Sequence, residues 1–176
     1  GTYNFTVRAN NLVGIADQNL SIVITAPPTN DLFAMRTILR GGSATGAANN
    51  QFAGKEAGEP NHAGNTGGKS VWWTWAAPST NPVTLKTCYN IFNGNNIING
   101  TFDTLLAVYT GFNVASLTPV ASNDDSSGCL FGTSSSLTFD ATKGGIYQIA
   151  VDGYNGAFGN IRLNLYQKQT LTVGMV

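Results

Sequence analysis

From Ser70 onward the chain is a succession of short strand-forming runs: "SVWWTWAA", "PVTLKTC", "FDTLLAVYTG", "SLTPVAS", "SSLTFDA", "YQIAVDG" and "NIRLNLYQ". Each is bounded by Gly, Pro, Asn or Ser, and no segment after Arg40 carries the 3.6-residue apolar period of a useful helix. Strands this short and this frequent need a two-layer antiparallel arrangement to bury a core. The expected fold is therefore all-β, an antiparallel β-sandwich of jelly-roll-like type. A length of 176 residues suits one such domain with short attachments.

The attachments lie at the ends. In "GTYNFTVRA", Tyr3, Phe5 and Val7 point one way and Thr2, Asn4, Thr6 and Arg8 the other. "NLSIVIT" follows after a polar loop, and the two runs predict a β-hairpin over residues 1–26. A hairpin alone is marginal in water and leaves two open edges, so it must pair with something else. The sandwich is expected over 27–168. "QTLTVGMV", within 169–176, reads as a further C-terminal strand or the start of a next domain.

Pro27 and Pro28 make a stiff break. "NDLFAMRTILRGG" then reads as a short helical turn capped by Thr29 or Asn30 and passing into a strand. The Gly/Asn/Ala-rich stretch from there to Lys69 lacks apolar periodicity and reads as a long loop, functional or pinned down. "YNIFNGNNIING", with two Asn-Gly dipeptides, predicts tight turns in an inserted hairpin or loop.

Charged residues are only 10% of the chain, with nine Lys+Arg against nine Asp+Glu. No basic stripe exists to neutralise phosphates, which excludes nucleic acid as an expected partner. No apolar run approaches the roughly 18 residues of a membrane span. The opening "GTYNFTVRANN" lacks the basic region and apolar core of a signal peptide, so an exported chain would take its leader from upstream.

Cys88 and Cys129 are too far apart for a local CxxC motif. They are either buried free thiols or a disulfide closing a loop of about 40 residues, worth roughly 4 kcal/mol in the chain-entropy model. Each lies beside a strand end or a Gly-rich turn, which favours the disulfide and an oxidising location.

"NDLFA", "GEPNHAG", "SVWWTWAAP", "FDTLLAVYTG", "ASNDD" and "YQIAVDGYNGAFGNIRL", in that order from Asn30 to Gln167, resemble a repeated β-sandwich module of large secreted bacterial proteins. That module is similar to pre-peptidase C-terminal and collagen-binding-like domains. Residues 1–25 resemble the closing strands of a bacterial immunoglobulin-like repeat. The resemblance implies a non-catalytic extracellular or cell-surface module, structural or adhesive, in a class of which some members bind calcium or collagen. Met35 and Arg36 stand where small residues are common in that family, and "YNIFNGNNIING" lengthens its loop.

Glu59 and His62 invite a catalytic or metal-binding reading. Yet Pro60 and the nearby glycines oppose a helix, and one histidine in the whole chain excludes the two-histidine zinc motif. No Gly-x-Ser-x-Gly elbow is present. The expectation is no enzyme, with His62 fastening the loop. Calcium is the expected cofactor, since it takes six to eight hard oxygens from loops. Its candidate ligands are Asn30, Asp31, Glu59, Asp103, Asn123, Asp124 and Asp125. The resemblance favours Asn30, Asp31 and Glu59, and the plainer alternative is that Asn123-Asp124-Asp125 caps a turn. In a strand, Val71, Trp73 and Trp75 share one face and Trp72 the other, so both faces are expected to be buried. A ligand-binding alternative, for polysaccharide or a fibrous protein such as collagen, would expose Trp72, or aromatic residues such as Tyr89 and Phe92, on one flat surface. Edge-strand addition to neighbouring domains or copies is the expected partnership, and a filament follows if the contact does not close.

Overall fold

The structure, a computed structural model, describes residues 1–88, 90–93, 96–99, 102–129 and 132–168. Its strands are β1 (Thr2–Asn11), β2 (Gly14–Val23), β3 (Thr37–Leu39), β4 (Ser43–Asn49), β5 (Val71–Ala76), β6 (Asn81–Lys86) and β7 (Asn90–Asn93). They continue as β8 (Asn96–Asn99), β9 (Thr104–Thr110), β10 (Thr118–Asn123), β11 (Ser136–Ala141), β12 (Ile146–Gly153) and β13 (Asn160–Gln167). A five-stranded sheet, β10-β9-β12-β5-β3, faces a four-stranded sheet, β11-β6-β13-β4. The fold is the expected all-β sandwich. All its pairings are antiparallel except that of β3 with β5.

The period-two pattern places Trp73, Trp75, Leu85, Val108, Ile149 and Leu163 between the sheets, each at most 1% exposed. Each fully buried Leu, Val or Ile contributes about 1.5–3 kcal/mol. A second, smaller apolar layer lies on the outer face of the five-stranded sheet. There Trp72, Ala107, Tyr109 and Ala150 are covered by Phe33. The strand holding the tryptophans is thus buried on both faces.

Two expectations about residues 29–69 are corrected. A single 3-10 turn, Phe33–Met35, does precede β3, but its N-cap residue is Leu32 and no side chain caps it. Asn30 instead lies beside β5, its carbonyl accepting the Trp72 N–H at 2.9 Å and its Nδ2 donating to the Trp72 carbonyl at 3.1 Å. The stretch read as unbroken loop also contains a seven-residue strand, β4, paired to β13 from Ser43↔Tyr166 to Asn49↔Asn160. Its inward residues are Ala44, Gly46 and Ala48. Small residues there give no apolar periodicity to read.

β1 and β2 form a regular ladder from Thr2↔Val23 to Asn11↔Gly14, and every residue in both strands is exposed. β7 and β8 pair as a second hairpin within the inserted "YNIFNGNNIING". The C-terminal run 169–176 lies outside the described residues.

Candidate functional site

The long loop before β5 is bound to the outer face of the five-stranded sheet by buried polar side chains. His62 is fully buried, with Nε2 2.9 Å from Glu59 Oε1 and Nδ1 2.8 Å from the Tyr109 hydroxyl on β9. An ionised carboxylate can only accept, so Nε2 donates its N–H to Glu59. The second Glu59 oxygen accepts the Glu56 N–H at 2.9 Å. Burial pushes the Glu59 carboxyl up. Hydrogen bonds from His62, Ser70 and the Glu56 amide, with the attraction of His62, outweigh it and hold the group below the usual carboxylate range. Burial, with the nearby Glu59 charge, raises the Tyr109 hydroxyl out of physiological reach. Trp72 packs edge-on to both His62 and Phe33, at centroid distances of 5.3 and 5.1 Å.

Asp152 on β12, also fully buried, fixes the end of the loop. Its carboxylate accepts the Gly68, Lys69 and Gly153 amides at 2.7–2.8 Å. Gly67 is required here, since its φ is +52° and a β-carbon would stand 1.8 Å from Asp152 Oδ2. Buried Asn50 bonds the Lys69 carbonyl and the Gly159 amide, both at 2.9 Å. Both imidazole nitrogens are engaged by neighbouring side chains, and the Glu59–His62 pair fastens the loop to β9.

The expected cation ligands fall into two groups. Asn30, Asp31 and Glu59 each have a partner within the protein: Asn30 bonds the Trp72 carbonyl, Asp31 Oδ1 accepts the Gly54 amide at 2.8 Å, and Glu59 is held by His62. Asp103, Asp124 and Asp125 do converge, each offering an oxygen within 4.8 Å of the others. Asn123 stands beside them but braces the turn, accepting the Ser136 amide at 2.9 Å and donating to the Asp125 carbonyl at 3.0 Å.

Among the described residues, Asp103 Oδ1 and Asp124 Oδ1 are buried oxygens without a hydrogen-bond partner. Burial, then repulsion from Asp124 and Asp125, raises the Asp103 carboxyl; burial, then Asp125, raises that of Asp124. Beneath them the Thr87, Thr104 and Ser135 hydroxyls interlock, at 2.7 and 3.1 Å. The Cys88–Cys129 disulfide, with Cα atoms 5.7 Å apart, ties the start of the inserted hairpin to the loop after β10. Such a bond fits an exported protein.

The aromatic platform is corrected at Trp72, which is 0% exposed. Tyr89 lies outside the described residues. Phe92 belongs to β7, whose side chains lie outside them too.

The remaining feature is the hairpin. Its ladder puts Tyr3/Ile22, Phe5/Leu20 and Val7/Gln18 on one face, and Asn4/Ser21, Thr6/Asn19 and Arg8/Asp17 on the other. The polar face is internally satisfied, by Thr6 Oγ1 to Asn19 at 2.8 Å and a two-pronged Arg8–Asp17 pair at 2.7 Å. On the apolar face Tyr3, Phe5, Leu20 and Ile22 are 41–61% exposed. Leu12 and Val13 stand wholly exposed at the tip, where the Asn11 side chain accepts the Val13 and Gly14 amides.

No protein-family model and no curated protein matches the chain. Among solved structures, PliG of Aeromonas hydrophila, a periplasmic lysozyme inhibitor of g-type lysozyme, is similar with a TM-score of 0.45 and 12% identity. The match covers 76% of this chain and 96% of that one.

Proposed function

We propose that this chain is a non-catalytic extracellular or cell-surface module, structural or adhesive, that joins neighbouring domains or copies through its terminal β-strands. The observation that carries the reading is the hairpin, two ten-residue strands with every residue exposed and with Tyr3, Phe5, Val7, Leu20 and Ile22 on one face. A ribbon of that kind is unstable in water unless its face is covered and its edges are paired. The burial of His62 supports a non-catalytic role, and the disulfide supports export. The resemblance to secreted sandwich modules points the same way. The polysaccharide or collagen reading is left without Trp72, which is buried.

Calcium enters as a stabiliser. Asp103, Asp124 and Asp125 supply hard oxygens with two unsatisfied lone-pair sites, a set suited to a hard divalent cation.

Deleting residues 1–25 tests the reading, because the core lies wholly in the sandwich. Light scattering should find association in the full chain and folded monomers after the deletion. Equal association of the two forms, or none in the full chain, refutes it.

A further inference from the structure

Resting on that reading, we propose that the hairpin of one copy adds antiparallel to the free edge of β4 in the next, with its polar face toward solvent. The sandwich has four edge strands. β10 carries Pro119 and an irregular register beside it, β11 carries Asp140, and β3 is only three residues long. These are the usual protections against unwanted pairing. β4, "SATGAAN", has none of them: seven small neutral residues, no proline, no bulge, and among the described residues no strand on its far side.

Hydrogen-bond parity then selects the geometry. The bonds Gln167 N–H to Gly42 O and Asn50 N–H to Gly159 O bracket the β4–β13 ladder. Antiparallel ladders alternate, so Ala44, Gly46 and Ala48 exchange bonds with β13. Thr45 and Ala47 therefore aim N–H and C=O at the open side, and their side chains are exposed.

In the hairpin, Gly1 and Ile24 exchange both backbone bonds, at 2.7 and 2.8 Å. By the same alternation the apolar pairs Tyr3/Ile22 and Phe5/Leu20 bond each other. The polar residues Asn4, Thr6, Asn19 and Ser21 aim their backbone groups at the outer edges.

In an antiparallel pairing, residues that aim at each other sit opposite one another with side chains on one face. The hairpin's Asn and Thr residues then join Thr45 and Ala47 in solvent, and Phe5 or Leu20 joins the inward row of Ala44, Gly46 and Ala48. A parallel pairing sets a residue aimed at its partner opposite one aimed away, which would turn the apolar row outward. Only the antiparallel mode covers it. The two surfaces also share their chemistry: Thr6 to Asn19 in the hairpin matches Thr45 Oγ1 to Asn164 Oδ1, 3.2 Å, across β4 and β13. Donor and acceptor lie on different parts of the chain, so the contact is heterologous and extends into a filament unless it closes into a ring.

The test uses the full chain and Ala47→Pro. Proline is accepted at an edge position whose N–H faces outward, so the fold should survive while the added strand loses a bond and meets the ring. Association should weaken at least tenfold. A second full-chain form, Phe5→Asp with Leu20→Asp, keeps the β4 edge and loses the hairpin face. Mixed one to one, the two forms should give a capped dimer. Thr45→Pro repeats the test should Ala47→Pro lose its near-UV dichroism. Hydrogen exchange on the unaltered chain tests it without any substitution, since the Thr45 and Ala47 amides should gain protection as concentration rises.

Wild-type assembly by both proline forms, while residues 1–25 remain necessary, overturns the β4 acceptor and leaves strand addition standing elsewhere. Unchanged exchange at Thr45 and Ala47 in an assembled sample does the same. A full chain that never associates removes both this inference and the reading beneath it.

Discussion

Gly46 lies flat against Trp73: a β-carbon at position 46 would stand 2.4 Å from the indole Nε1 and 2.9 Å from Cε2. The indole of Trp73 on β5 thereby reaches across the sandwich to the backbone of β4, and β4 must be built of small residues to receive it. Gly46→Ala should therefore destabilise the fold despite improving strand propensity. Overpacking of this kind costs about 1–3 kcal/mol, or roughly 2–4 °C in Tm per kcal/mol for a chain of this size. Urea unfolding reads the change, and an unchanged midpoint would show that Trp73 has room to move.

His62→Leu should cost about 3–5 kcal/mol, since it strands the Glu59 carboxylate in an apolar pocket and leaves the Tyr109 hydroxyl unpaired. Glu59→Gln added to His62→Leu removes the buried charge and should recover part of the loss. A double-mutant cycle measures the coupling. Strict additivity would mean that the two side chains do not act as a pair.

Asp152→Ala removes the acceptor for three backbone amides and should free the loop end at Gly68 and Lys69. The expected loss is about 3 kcal/mol or more, since each buried unsatisfied donor costs roughly 1–3 kcal/mol. Limited proteolysis should cut between residues 50 and 69 in the variant and not in the parent.

The two carboxylate groups respond to pH in opposite senses. Glu59 has a lowered folded pKa, so its contribution is present above the unfolded value, about 4.3, and is lost as pH falls through the lower folded value. Asp103 and Asp124 have raised folded values. Between the unfolded value, about 3.9, and those higher values the native state binds more protons, so stability falls as pH rises through that window. Calcium should reverse the second effect, raising Tm at pH 7 and much less at pH 4. Asp124→Asn should raise the Tm of the chelated protein and abolish the calcium response. A Tm indifferent to calcium at pH 7 assigns the three aspartates to the turn alone.

Replacing both Cys88 and Cys129 by Ser releases a 41-residue separation. The chain-entropy model puts the loss at about 4 kcal/mol. Guanidinium unfolding of the double variant measures it.

Legibility in the sequence followed how locally each feature is determined. The hairpin was plain because Tyr3, Phe5 and Val7 alternate with polar residues, and a ladder needs no other information. The two-sided burial of β5 was plain from its consecutive tryptophans. β4 was hidden because its inward row is small, and it is small because of Trp73, which lies 27 positions from Gly46. His62 was singled out, but its partner Tyr109 is 47 residues distant. Nothing local to "VDGYNG" marks the role of Asp152, because only the fold brings Gly68 and Lys69 to it. Asn30, Asp31 and Glu59 looked like ligands because they are polar residues in one loop-rich region. Backbone amides and His62 claim two of them, and Asn30 donates to a strand. Asp103, Asp124 and Asp125 meet because the disulfide and the β9–β10 pairing draw their segments together.

The central claim is that the row of Tyr3, Phe5, Leu20 and Ile22 exists to be covered by a neighbour. Sedimentation velocity over a hundredfold range of concentration, on the chain and on its Phe5→Asp, Leu20→Asp form, tests it most directly. The account predicts boundaries that quicken with concentration for the parent and one slow monomer boundary for the variant. Identical boundaries for the two forms would contradict it.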